Sequence, residues 1–380
     1  MQKVISFLKK EPMLTVSVAA AVIALFITPP DTELIKNIDW KTLATLFMML
    51  TVLEGFKKEN IFRPVLRLAG RLNTMLALSF FLVFSVFFSS MFVTNDVSLI
   101  IFVPLTIILF RSGDKEKYIL PVITMENIAA VRGSMLTPFG SPQNLFLFGQ
   151  SGQNVGTFLL HMLPFWFFSG ILLVVFIFFL YRNDIKQPID INGSAVSGEW
   201  EGSRKKQRII YISLFAVVIW TIVSRTTLWP YITAAVTLGV LIADRKILIK
   251  TDYVLLLTFL CFFVFSSSVS SNEVISSFLS KAVAGNEYWW GILLSQVISN
   301  VPAAIVLYPF TTNISALLYG VDTAGLCSLI GSLASVINYR IYVREYPKNG
   351  MKFIKTFTFI SLIFFAVVVL PGFFLSKWQF

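Results

Sequence analysis

The chain has 380 residues, 56% hydrophobic and only 13% charged, with 38 phenylalanines and a mean hydropathy of +0.78. Soluble domains carry about 25% charged residues, so the composition excludes an ordinary soluble enzyme and points to a helical protein crossing a bilayer many times. In such a chain the net charge of +11 is a topology signal held in the loops, not a nucleic-acid footprint.

Lys3, Lys9 and Lys10 precede an apolar run from Thr15 to Ile27, the layout of a signal peptide. No small-residue cleavage site stands before Pro29-Pro30, so an uncleaved first span over residues 12–28 is expected. An acidic loop (Asp31, Glu33, Asp39) leads to span 2, from Trp40 to about Gly55, with Glu54 near its end as a solvated interface residue. The next loop sets Lys57, Lys58, Arg63, Arg67 and Arg71 against Glu59. The positive-inside rule puts this loop and the N-terminus in the cytoplasm.

Residues 74–110 are apolar except for Thr94-Asn95-Asp96, and the far flank, Arg111 to Lys117, is again basic. Flanks on one side require an even number of crossings. Two full spans with a tight external turn, or a re-entrant hairpin with the triplet at mid-membrane, both satisfy that. Span 3 starts at Tyr118, meets Gly133, Pro138, Gly140 and Pro142, and resumes at Leu145. Proline lacks an amide hydrogen and clashes with the preceding turn, so this helix is broken. Broken backbone at membrane depth is tolerated where it lines a cavity or is buried in protein. Span 4, about 158–181, returns to a hydrophilic linker carrying Arg204, Lys205, Lys206 and Arg208.

Span 5 covers about 209–223 and span 6 about 229–243, before an internal loop with Arg245, Lys246 and Lys250. Span 7 runs from Tyr253 to about Val269, followed by an external loop with Glu273, Lys281 and Glu287. A second hairpin at 288–318 has Ser299-Asn300 at its tip and weakly charged flanks, Asp322 among them, which suit an external opening. Span 8 begins near Thr323, breaks at Gly331-Ser332 and ends in Arg340, Arg344, Lys348, Lys352 and Lys355. Span 9 covers about 354–374 and leaves the C-terminus outside. Cys261 and Cys327 lie in apolar runs and read as packing.

The expected fold is all-α and polytopic, with about nine spans and two opposed re-entrant hairpins. The first repeat is 1–181 (hairpin 73–110, broken helix 118–149), then a linker at 182–208 and a linking span at 209–224. The second repeat is 225–380 (hairpin 288–318, broken helix 323–343), inverted by the odd linking span. In both hairpins the asparagine precedes a proline by nine positions, Asn95 to Pro104 and Asn300 to Pro309. Asp39-Trp40 matches Asp252-Tyr253. Inverted repeats whose broken helices meet at the midplane are the architecture of secondary transporters.

The same residues resemble the ion-transporter superfamily of citrate, di- and tricarboxylate and arsenite permeases and related sodium/proton antiporters. Asn127-Ile128 through Gly140-Ser141-Pro142-Gln143-Asn144-Leu145 is similar to its first broken helix, and Gly331-Ser332-Leu333-Ala334-Ser335 to its second. Thr94-Asn95-Asp96 and Ser299-Asn300-Val301-Pro302 resemble its two hairpin tips. Arg132, Gln143 and Ser335 depart from the family pattern, where a small residue, a proline and an asparagine are usual. The resemblance implies the re-entrant form of the first hairpin, a scaffold with a mobile transport domain, elevator motion and a homodimer in a bacterial cytoplasmic membrane.

Inward-pointing half-helices attract anions at their N-termini and hold sodium at their carbonyl ends. The expected substrate contacts are Thr94, Asn95, Ser299, Asn300, Ser141, Pro142, Asn144, Ser332 and Arg132, between the tips and the two breaks. Asp96, Asn95, Gly140, Gly331 and Glu126 are candidates for the coupling Na+ or H+, with Na+ at the Asn95 and Asn300 tips. Asp96 has three open roles: cation ligand, proton carrier, or ion-pair partner of Arg132. Arg132 either binds an anion or neutralises Asp96. The sole histidine, His161, reads as an interfacial hydrogen-bonding residue. No phosphate-binding glycine-lysine loop or paired-histidine motif occurs, so neither an ATPase nor a zinc hydrolase is expected, and no cofactor. The expected activity is secondary active transport of a small anion, with sodium/proton antiport as the rival and a passive channel as the remaining alternative.

Overall fold

A computed structural model describes residues 11–29, 32–183, 185–190 and 205–378. Lys3, Lys9 and Lys10, Asp31, and the linker stretch 191–204 with Arg204 lie outside the described residues. The described residues are helical apart from turns and one isolated bridge between Thr74 and Pro188.

In chain order the first group is α1 (Pro12–Ile27), the short α2 (Thr32–Asn37), α3 (Trp40–Lys58) and the short α4 (Arg63–Ala69). The first hairpin is α5 (Met75–Val93) and α6 (Asn95–Ser112), and the first broken helix is α7 (Ile119–Ser134) and α8 (Pro142–Ser151). Then follow α9 (Val155–Leu180), α10 (Lys205–Ser224), α11 (Trp229–Lys250), α12 (Tyr253–Ser270) and α13 (Glu273–Val283). The second hairpin is α14 (Glu287–Ile298) and α15 (Asn300–Leu307), the second broken helix is α16 (Ile314–Ala324) and α17 (Leu333–Glu345), and α18 (Gly350–Leu375) closes the fold. Among the described residues, six helices are long and apolar enough to cross a membrane, and two of these are the arms of the first hairpin. The molecule is an integral, polytopic membrane protein.

Local chemistry explains the boundaries. Asp39 caps α3 by accepting from the Thr42 amide, and Asp252 caps α12 by accepting from Leu255, with near-identical cap dihedrals (φ −78, ψ 78 against φ −76, ψ 80). Each such cap contributes about 1 kcal/mol. Both breaks depend on glycine: a Cβ at Gly140 would overlap the Ser134 carbonyl, and one at Gly331 the Ala324 carbonyl. The chain folds back onto the last turn of its own half-helix there, a close approach only glycine permits.

The second half departs from the sequence reading. Its hairpin ends in a 3-10 turn at Tyr308–Phe310, and Asn313 caps a new helix by accepting from the Ala316 amide. The second broken helix therefore starts at Ile314, not near Thr323, and Asp322 lies buried within it instead of in a loop. Within α11, Asp244 breaks helical geometry (φ −169, ψ 102) where its carboxylate pairs with Lys58.

The two half-helices α7 and α16 form the interior. α7 packs against α5, α6, α9, α17 and α18, and α16 against α14, α15, α8 and α18. Outside them, α3 packs on α10 and α11, and α12 on α1.

Candidate transport site

Each hairpin turns through one strained residue. Thr94 has φ 70 and ψ 155; Ser299 has φ 70 and ψ 161. That region normally belongs to glycine and costs about 1–3 kcal/mol for other residues. The strain aims Asn95 and Asn300, the first residues of α6 and α15. Asn95 accepts from the Asp96 amide at 2.9 Å, and the Asn300 Nδ2 is buried without a partner among the described residues.

A cavity of about 480 Å³ opens beside the first tip. Thr94 and Asp96 line it, with Ser141-Pro142 at the first break, Leu333 at the second, and parts of α3 and α12. Four helix N-termini thus converge on it: α6, α8, α12 and α17. That of α12 is capped by Asp252, but Thr94, Ser141 and Ser332 make no side-chain bond to the first turns of α6, α8 and α17. The Ser141 hydroxyl is buried without a partner among the described residues. Three N-termini without a side-chain bond from their cap residues turn the positive ends of their helix dipoles toward the cavity.

Asp96 supplies the opposite sign, with a buried Oδ1 that has no partner among the described residues. Glu54 lines the same cavity and pairs with Lys57, and Asp252 and Lys250 complete its charged rim. Glu54 is therefore a cavity residue, not a simple interface residue.

The other expected site residues fall outside this cavity. Ser299 and Asn300 are buried in the packing of α15, which contacts α8, α12, α14 and α16. The Asn144 amide donates to the Ser134 and Met135 carbonyls, tying α8 to the end of α7. Ser332 directly precedes the cavity-lining Leu333. Gly140 and Gly331 act through the breaks. Glu126 accepts from the Thr106 hydroxyl inside the α6–α7 packing, with its second oxygen unpartnered among the described residues.

Arg132 does not pair with Asp96. Its Nε donates to Ser169 at 2.9 Å, its Nη1 to the Asp322 carbonyl at 3.4 Å, and its guanidinium lies 3.9 Å from the Phe165 ring centroid. Asp322 accepts from Gln143 at 3.0 Å through Oδ1. Arg132 stands two residues before the end of α7 and Asp322 two before the end of α16, so the buried charges occupy matching places. Asp322 and Gln143 were not among the site residues expected from sequence; aligning the two half-helices on their breaks was the signal that would have found Asp322. His161 bonds Ser315 at 2.9 Å within the packing of α9 on α16.

A polytopic helical membrane protein with two strained hairpin tips, two broken helices and a cavity bordered by the first tip and both breaks is a membrane transporter by class. The family model described as citrate transporter (CitMHS) matches residues 4–331, and the chain belongs to that family. It is 32% identical to the uncharacterized transporter MJ0456 of Methanocaldococcus jannaschii over 87% of this chain and 88% of that one. It is 29% identical to the inner membrane protein YbiR of Escherichia coli over 80% of each chain. The YdaH transporter of Alcanivorax borkumensis, whose crystal structure has an unusual topology, shares the fold with a TM-score of 0.53, 96% coverage of both chains and 12% identity.

Proposed function

We propose that the chain is a secondary active transporter of a small anion, a carboxylate or an oxyanion such as arsenite, coupled to Na+ or H+. The observation that carries this reading is the convergence of three uncapped helix N-termini on one cavity beside a carboxylate with a free oxygen. The amides suit an anion, and Asp96 suits the cation moving with it. The family supports an organic anion such as citrate.

Movement is of the elevator type. The arms of the first hairpin have 19 and 18 residues, about 28 and 27 Å at 1.5 Å per residue. The tip borders the same cavity as α3 residues Leu46 to Lys57, while Phe102, two turns further on, meets Phe62 beyond the end of α3. The hairpin thus runs past α3 on its basic side, as a transport unit lowered toward the cytoplasm would. Residues 1–181 and 225–380 are the two inverted repeats. The protein lies in the bacterial cytoplasmic membrane as a homodimer, N-terminus inside and C-terminus outside.

A second reading, sodium/proton antiport, is favoured by the acid excess of the cavity: Glu54, Asp96 and Asp252 against Lys57 and Lys250. Proteoliposomes separate the two. Gradient-driven uptake of labelled citrate, succinate or arsenite supports anion transport. Sodium-dependent proton movement with none of these anions present supports antiport.

A further inference from the structure

A second cavity, of about 330 Å³, lies at the other end of α3. Thr42 and Thr45 face it, while Leu46, Met49, Leu53 and Lys57 face the first cavity. Steps of three and four put these residues on one helix face. One face of one helix therefore lines both cavities, over about 24 Å from Lys41 to Lys57. Leu145, near the start of α8, is the residue that both cavities share.

The two cavities differ in charge. The first holds three acids and two lysines. The second holds Lys41 and Arg225 against Asp39 alone. Asp39 is already occupied, accepting from the Thr42 amide and hydroxyl and from Gln150. Lys41 donates to the Arg225 carbonyl at 2.9 Å, leaving two ammonium hydrogens. The Arg225 guanidinium lies 4.2 Å from the Phe148 ring centroid and donates to the Phe148 carbonyl, and its Nε is buried without a partner among the described residues. Arg225 is also held at φ 50, an uncommon conformation that fixes where this cation points.

We infer that the second cavity is a docking site for the transported anion at the opposite mouth of the pathway, with Lys41 and Arg225 as its ligands and Leu145 as the barrier between the mouths. The inference rests on the anion-transport reading. It gives one mouth two formal positive charges, and leaves the helix N-termini and Asp96 together at the other. The barrier belongs to α8 of the transport unit, and the lining stripe to α3 of the scaffold. Sliding one past the other moves Leu145 from one side of a bound anion to the other.

The test uses the full chain in proteoliposomes with Cys261 and Cys327 replaced by serine and Gly149→Cys added. Gly149 lines the cavity, and an added Cβ there meets only the Thr42 hydroxyl at 3.6 Å, so the variant is tolerated. Thiol reagents of equal size, one carrying a sulfonate and one a trimethylammonium, are compared. The sulfonate should react about tenfold faster, the enhancement a focused positive field gives. Arg225→Gln should abolish the preference and Arg225→Lys retain it, and citrate should slow labelling. Equal rates for the two reagents, or a preference unchanged by Arg225→Gln, overturn the inference. If the wild type takes up citrate, succinate or arsenite and the preference is absent, the docking site alone fails. If no anion is taken up, the transport reading fails while a charge preference still marks an anion site.

Discussion

The two hairpin tips share a backbone but not a role. Both turn through a β-hydroxy residue at φ 70, both place asparagine next, and both run to a proline nine positions after that asparagine. The first rides on arms of 19 and 18 residues, is followed by Asp96 and faces a cavity. The second rides on arms of 12 and 8 residues, is followed by Val301-Pro302 and is packed against α8 and α12. The symmetric part is the strained turn with its uncapped helix. The asymmetric part is the carboxylate and the access to it. Repetition thus builds a frame of helix ends, and the residues that follow each asparagine, Asp96-Val97 against Val301-Pro302, set the two ends apart.

Four experiments strain this comparison. The largest effect is expected where the halves agree: Gly140→Ala and Gly331→Ala each force a methyl group into a backbone carbonyl. Each should cost about 3 kcal/mol and remove most monodisperse protein from size-exclusion chromatography. A break that tolerates alanine would contradict the shared geometry. Next, Asp96→Asn should reduce gradient-driven uptake to background, whereas Val301→Asp paired with Asp96→Val should fail to restore it. Restoration would make the two tips equivalent.

A smaller loss is expected for Asn95→Ala and for Asn300→Ala, with the first raising the uptake KM more because its neighbours line the cavity. Full transport by both variants would remove the tips from the site. The smallest effect is one of stability: Thr94→Gly and Ser299→Gly should each relieve about 1 kcal/mol of backbone strain, read as a higher Tm in detergent. A Tm that falls at one tip only would show that its side chain, not its backbone, holds the turn.

Much of this frame was legible in the residues. Thr94-Asn95-Asp96, Ser299-Asn300 and the glycine-serine breaks are polar or helix-breaking groups inside apolar runs, and burial makes such groups conspicuous. The matching aspartates before Trp40 and Tyr253 signalled two equivalent helix starts, which the caps bear out. Asp322 was not legible: a single acid near the end of an apolar stretch reads as loop charge. Its burial depends on Gln143, 179 residues away, and on the Arg132 side chain reaching its carbonyl. Nor did the sequence reveal which tip faces the cavity, since that depends on α8 and α12 packing against α15 and leaving Thr94 and Asp96 beside open space. An Asp96–Arg132 pair was a fair expectation from two intramembrane charges, but Arg132 is engaged by Ser169, Phe165 and the Asp322 carbonyl.

The most direct test of the proposed anion site places a reporter on the α3 wall of the first cavity. Leu50→Cys, in a background with Cys261 and Cys327 changed to serine, lines that cavity from α3. The labelling rate of this cysteine by a membrane-permeant thiol reagent is measured with and without the anion and cation that the same proteoliposomes take up. Anion and cation together should slow labelling severalfold, with either alone having less effect. An unchanged rate in a preparation that is transporting the anion would contradict the account.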